Sequence, residues 1–166
     1  MEDREALVGT IAALPPARTV DIACGTGYLT QHLRGPVTGL DQSSSMVEIA
    51  SARIPAGTFV QSDALPLPFA DGQFERLFTG HFYGHLEEAA RVQFLSEARR
   101  VAGELVVADS AIRPDHEVVE WQERVLNDGS RHEVYKRYFT GEGLAEELGG
   151  GEVLHAGPWF VVVRAA

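Results

Sequence analysis

The segment Val20-Asp21-Ile22-Ala23-Cys24-Gly25-Thr26-Gly27 runs an apolar stretch into a glycine-rich turn. Glycines let a ligand approach the backbone closely, and a helix starting just afterwards would offer free N–H groups to an anion. Nucleoside triphosphates, dinucleotides and S-adenosylmethionine are all held in this way. A triphosphate loop needs a Gly-Lys-Ser/Thr ending, and no lysine stands here. The dinucleotide fingerprint needs Gly-x-Gly-x-x-Gly/Ala, whereas Gly25-x-Gly27 is followed by Thr30, which crowds the close helix–strand approach.

Two carboxylates extend the pattern. Gly39-Leu40-Asp41 closes a second apolar run, where Asp41 can accept both hydroxyls of a ribose. Gln61-Ser62-Asp63-Ala64 closes a third, where Asp63 can take an adenine amino group beside a backbone N–H. Sites at the C-terminal ends of successive strands converge on one crevice in an open α/β sheet. Farther on stand His81, Phe82, Tyr83 and His85. A histidine titrating near pH 6.5 can take a proton from an oxygen or nitrogen nucleophile, which makes His81 and His85 the candidate bases. The alternative is an ordinary hydrogen-bonded loop histidine. Cys24 has no base placed beside it and reads as a small buried hydrophobe. The histidines and scattered carboxylates form no metal-ligand spacing.

These residues need a frame. Strands are expected at 19–24, 37–41, 58–63, 74–79 and 104–109, with helices at 2–14, 28–33, 43–53 and 87–101. The strands are nearly continuous apolar runs alternating with helices, the mark of a parallel sheet covered on both faces. Residues 65–71 are too short and Pro-rich for a full crossover helix. Residues 115–126 are expected to wind as a helix, 130–139 show no clean period, and 140–148 read as a helix. The runs 152–155 and 159–164, joined by Ala156-Gly157-Pro158, should form an antiparallel hairpin. One domain, residues 1–166, is expected, with an insertion at about 112–140.

The chain has 166 residues and a net charge of −10. It would approach a polyanion with the wrong overall sign, which disfavours nucleic acid and anionic lipid. The single cysteine excludes an internal disulfide. The acidic start and the lack of a long apolar run give a cytoplasmic expectation, with no membrane partner.

Together the segments VDIACGTG (20–27), GLDQSSSM (39–46), QSDALPLPF (61–69), FERLFTGHFYGHL (74–86) and EARRVAGELVVAD (97–109) resemble the class I S-adenosylmethionine-dependent methyltransferases. The resemblance covers about residues 18–110 and 141–164. It implies a Rossmann-like α/β/α sandwich whose seven-stranded sheet runs 3-2-1-4-5-7-6, strand 7 antiparallel. It also implies S-adenosylmethionine as cofactor and S-adenosylhomocysteine as product. Ala23, Cys24 and Gly25 would line the methionine part, Asp41 would hold the ribose, and Gln42 and Met46 would pack near the adenine. Asp63 and Ala64 would read the adenine edge, Thr79 would lie beside the methionine end, and Asp21, Gly27 and Leu65 complete the cofactor set. Ala23 replaces the family's usual first glycine, and Gly84 stands where a histidine is frequent. The missing crossover helix leaves the site more open than usual, or closed by another subunit.

The insertion is the family's usual place for substrate recognition. Its Trp121, Tyr135 and Tyr138, with Phe82 and Tyr83, would either wall a substrate pocket or bury the insertion against the sheet. The expected activity is methyl transfer to a small molecule, through an oxygen or nitrogen nucleophile rather than carbon. The alternatives are a non-catalytic S-adenosylmethionine-binding module and a nicotinamide-dependent oxidoreductase. A homodimer is a possible assembly.

Overall fold

A computed structural model describes residues 2–166. Strands β1 (Thr19–Ile22), β2 (Val37–Asp41), β3 (Thr58–Gln61), β4 (Phe74–Gly80) and β5 (Ala102–Ser110) are parallel neighbours. Two further strands, β6 (Val119–Val125) and β7 (Arg131–Arg137), form a separate antiparallel ribbon. The last two, β8 (Glu152–Ala156) and β9 (Phe160–Ala165), return to the main sheet, with β9 antiparallel to β5 and to β8. The seven-stranded sheet therefore runs β3-β2-β1-β4-β5-β9-β8. It departs from the numbering 3-2-1-4-5-7-6 because β6 and β7 intervene in the chain without entering the sheet.

Apolar side chains fill both faces of the sheet. Helix α1 (Glu2–Ala12) places Leu7 and Ile11 against Phe78, Val106, Ala108 and Val162. On the opposite face, α3 (Glu88–Val101) buries Phe94, Leu95, Ala98 and Val101, and α4 (Gly141–Glu147) adds Leu144 and Ala145. Helix α2 (Ser44–Arg53) packs along β2 and β3, capped by the Ser43 hydroxyl, which accepts from the Met46 amide at 3.4 Å. The carboxylate of Asp3 accepts from the amides of Trp159 and Phe160 at 2.7 and 3.1 Å, which pins the start of α1 to the β8–β9 turn.

Two expectations are corrected. Residues 28–33 do not form a helix but a single 3-10 turn at Thr30–His32. Gly35, at φ 98°, and Pro36 cut the segment off after one turn, too short to repay helix nucleation. Residues 115–126 contain strand β6 rather than a helix. Leu126 N donates to Ser130 O at 2.9 Å and Gly129 sits at φ 82°, so Asn127-Asp128-Gly129 closes a three-residue hairpin loop with its glycine left-handed. A tight turn at 127–129 lets both flanking segments pair, and pairing overrides their moderate helical propensity. The segment 130–139, without a period in isolation, supplies the partner strand β7.

No helix among the described residues is long and apolar enough to cross a membrane.

Candidate cofactor crevice

The crevice lies at the C-terminal ends of β1 to β4. Its loop after β1 turns on Ala23, Gly25 and Gly27, all with positive φ (58°, 55° and 78°). Cys24 N donates to Leu40 O at 3.0 Å, which keeps the loop on the sheet. A Cβ placed on Gly25 would meet nothing within 4 Å, so the backbone there faces open space. Gly39 is glycine for the opposite reason: a Cβ would fall 2.5 Å from the Phe59 ring and 3.0 Å from Cys24 Sγ.

Asp41 is the hinge between loop and crevice. Its Oδ2 accepts from Gly25 N at 3.0 Å and its Oδ1 from Ser43 N at 2.9 Å. One carboxylate therefore fixes both the glycine loop and the start of α2, while its remaining lone pairs face a cavity of about 290 Å³. Ala23, Leu40, Gln42, Ser62, Asp63, Ala64, Leu65, Phe82 and Leu86 complete that cavity's lining. Apolar walls with a carboxylate on each side suit a flat heteroaromatic ring carrying a ribose.

A second cavity of about 200 Å³ shares Ala23 and continues past β1 to β4. Asp21, Cys24, Gly25, Tyr28, Gly80 and His81 line it. Asp21 is buried and accepts from the Thr30 hydroxyl at 2.6 Å. Burial pushes its pKa up to about 7, the Thr30 hydrogen bond opposes this, and Asp41 adds to it. Burial pushes the Cys24 thiol up to about 12, so it stays protonated and is no nucleophile at neutral pH.

His81 occupies the mouth of this second cavity in a left-handed conformation, φ 57°, its amide donating to Ala108 O at 2.9 Å. Its ring packs edge-on against Phe160, 5.4 Å between centroids. The surrounding protein mass lowers its pKa below 6.5, with Asp109 pulling the other way. It is therefore neutral at pH 7. His85 is turned elsewhere: its Nδ1 lies 2.9 Å from Tyr135 O on β7.

The structure thus brings Asp21, Ala23, Cys24, Gly25, Asp41, Gln42, Asp63, Ala64, Leu65, His81 and Phe82 around one crevice. Gly27 and Met46 line neither cavity, and Gly27 packs against Ala50 of α2. Thr79 is fully buried, its hydroxyl donating to Ile22 O at 2.8 Å, and gives the crevice no surface. Tyr83 is also fully buried, and its hydroxyl donates to Glu147 of α4 at 2.9 Å. Trp121, Tyr135 and Tyr138 sit on the ribbon. Trp121 stacks edge-on with Tyr135, and Tyr138 Oη accepts from the Gln122 side chain. Leu40, Ser62 and Leu86 in the first cavity, and Thr26, Tyr28, Leu29, Phe78 and Gly80 in the second, complete the lining and were not among the expected site residues. Gly80 stands one residue past an expected strand end, which was the available signal, and Ser62 lies within the expected strand at 58–63 but follows the observed end of β3 at Gln61.

Residues 19–104 match the family model described as a methyltransferase domain. The chain belongs to the class I S-adenosylmethionine-dependent methyltransferases. A 2-methyl-6-phytyl-1,4-hydroquinone methyltransferase of Synechocystis is 31% identical over 153 residues, covering 84% of this chain and 48% of the relative. A demethylmenaquinone methyltransferase of Thermotoga maritima is 35% identical over 114 residues, covering 64% and 49%. The chain spans about half the length of these curated relatives. Among solved structures, the complex of DhpI with SAM and HEP superposes with a TM-score of 0.81 at 24% identity, over 98% of this chain and 85% of that one. The DhpI complex with SAH gives 0.74 at 26% identity, over 98% and 80%. This methyltransferase chain departs from the family's glycine pattern at Ala23, which nevertheless adopts the left-handed backbone that a glycine would take.

Proposed function

We propose that this chain binds S-adenosylmethionine in the crevice and transfers its methyl group to a small-molecule acceptor through an oxygen or nitrogen nucleophile. The observation that carries the cofactor assignment is Asp41, held by the amides of Gly25 and Ser43 at the rim of a cavity that Asp63 borders on the far side. In this reading Asp41 accepts the ribose hydroxyls. Asp63 and the Ala64 amide take the adenine edge, and Leu40, Leu65, Phe82 and Leu86 cover its faces. The loop at Ala23–Gly25 lies along the methionine part. When bound, the cofactor supplies a methyl group already activated by its positively charged sulfur.

The protein's remaining task is alignment, which can be worth about 7–11 kcal/mol. His81, neutral and at the methionine end, can accept the proton of an O–H or N–H acceptor. The small-molecule acceptors in the names of two relatives support an acceptor of that size. The net charge of −10 argues against a nucleic acid.

The test is thermal unfolding with S-adenosylmethionine, S-adenosylhomocysteine, NAD, NADP and ATP. A ligand at 100 times its Kd adds about 2.7 kcal/mol, roughly 5–10 °C at this size. A shift with the two S-adenosyl compounds alone is expected. Asp41→Ala should weaken that binding by about 1.5–3 kcal/mol, the scale of a charged hydrogen bond. A shift only with a nicotinamide cofactor, or wild-type affinity in Asp41→Ala, overturns the assignment. Binding without turnover on a broad acceptor panel would mark a non-catalytic binding module instead.

A further inference from the structure

The β6–β7 ribbon stands apart from the main sheet, and β6 is its outer strand: its substantial packing is against β7 alone. Two-stranded ribbons are marginal on their own, and an unpaired strand edge is a template for another strand. This edge lacks the usual protection of a proline or a lysine. Beside the charges of Glu120, Glu123 and Arg124 it carries the exposed apolar residues Val119, Trp121 and Val125, with Trp121 57% and Val125 62% accessible.

The hydrogen-bond register shows which groups are available. Tyr138 N donates to Val118 O and Leu126 N to Ser130 O, each at 2.9 Å. With Gln122 paired to Val134, the backbone groups of Glu120, Gln122 and Arg124 must therefore turn toward β7. Those of Val119, Trp121, Glu123 and Val125 turn outward.

We propose that this outward edge is a self-recognition surface, on which β6 of a second copy of this chain pairs antiparallel about a two-fold axis at Gln122. The strand reads Val119-Glu120-Trp121-Gln122-Glu123-Arg124-Val125. Turned against itself about Gln122, it sets Val119 opposite the partner's Val125 and Trp121 opposite the partner's Glu123. These are the residues whose N–H and C=O groups face outward, so they form the hydrogen-bonded pairs. Glu120 then falls opposite the partner's Arg124 in a non-hydrogen-bonded pair, where side chains approach most closely. Opposite charges so placed stabilise a sheet and like charges destabilise it. Centring the pairing on Glu123 instead sets that carboxylate against its own copy, and centring it on Trp121 separates Glu120 from Arg124. The sequence is self-complementary in one register, and that register matches the free backbone groups. The contact is isologous, so it closes at a dimer. It would also brace β7, whose Tyr135 carbonyl holds His85.

The experiment is sedimentation velocity of the intact chain and its variants over a concentration series. Wild type should form a dimer. Arg124→Glu and Glu120→Arg should each raise the dimer dissociation constant by roughly tenfold or more, since like charges then meet at both ends of the axis. An equimolar mixture of the two variants should recover the dimer, because every charged pair is again opposite. Arg124 is exposed, so Arg124→Glu leaves the fold intact, which a melting curve verifies. Glu123→Pro removes an outward N–H without touching the β6–β7 ladder and should also weaken the dimer. A wild type that stays monomeric at high concentration overturns the proposal. So does a dimer that survives Arg124→Glu, or a mixture that stays monomeric.

Discussion

Lys136 Nζ donates to Asp109 Oδ1 at 2.5 Å, with both side chains almost wholly buried. Lys136 is the only lysine in the chain. The other oxygen of Asp109 accepts from Gly84 N at 2.7 Å, so one carboxylate at the end of β5 fastens both the ribbon and the turn after β4. This explains why position 84 is glycine. A Cβ there would fall 2.6 Å from Arg137 O and about 3 Å from both members of the ion pair, so a histidine side chain has no room. Lys136→Met takes the cation away from the buried Asp109 carboxylate and should cost about 3–5 kcal/mol in urea denaturation. Adding Asp109→Asn, which keeps an acceptor for Gly84 N, should recover most of that loss. A double variant as unstable as the sum of its parts would show that the pair is not the coupling element.

What was legible in the sequence is what is local or periodic. The apolar runs of β1, β2 and β4, the punctuation at Gly25 and Gly27, Asp41 at a strand end and the stripe Phe94–Ala98–Val101 could each be read from a few neighbouring residues. The ribbon was hidden because Glu117 to Arg124 is rich in residues that helices also accept. The alternation Val119, Trp121, Glu123, Val125 and the Asn-Asp-Gly turn were the signal for it. Contacts between distant residues were not legible at all. Nothing near Tyr83 announces that its hydroxyl will find Glu147, or that Lys136 will find Asp109. For that reason the aromatic residues expected around a substrate pocket divide, with Phe82 at the crevice and Tyr83 in the core.

His81 makes a prediction about pH. Its pKa lies below 6.5, chiefly through burial. As a general base it acts in the neutral form, so kcat/KM should rise with pH through a midpoint below 6.5 and be flat above pH 7. His81→Gln should remove the acid limb and lower kcat by about 10²–10⁴, the usual weight of a general base. A loss under tenfold with the limb intact would assign the whole acceleration to alignment. His85→Gln should leave the limb in place, since the His85 ring is turned to the Tyr135 carbonyl.

Ala23 is held at φ 58°, where an L side chain is strained by about 1–2 kcal/mol. Glycine relieves that strain but adds freedom to the unfolded chain worth about 0.4–1 kcal/mol. Ala23→Gly should therefore stabilise the protein by about 0.5–1 kcal/mol in equilibrium unfolding. A destabilised variant would mean that the Ala23 methyl group contributes more by lining the two cavities than the backbone loses.

Asp21 makes the opposite kind of prediction, one in which an acid weakens the fold as it ionises. Its pKa rises from an ordinary 3.8 to about 7 in the folded chain, because burial penalises the charged form. Below pH 4 both folded and unfolded states carry the proton, and the group has no effect on the balance. Between pH 4 and 7 the unfolded chain ionises while the folded one keeps its proton, so this group's contribution to stability falls as pH rises. Above pH 7 the loss is complete. Asp21→Asn keeps an oxygen for the Thr30 hydroxyl and cannot ionise. Relative to wild type it should therefore gain on the order of 2–4 kcal/mol between pH 4 and 8. The measurement is urea denaturation of both proteins at matched pH values, read as a difference so that the other carboxylates cancel. A difference that does not change with pH would mean that burial does not hold the proton on Asp21 in the folded state.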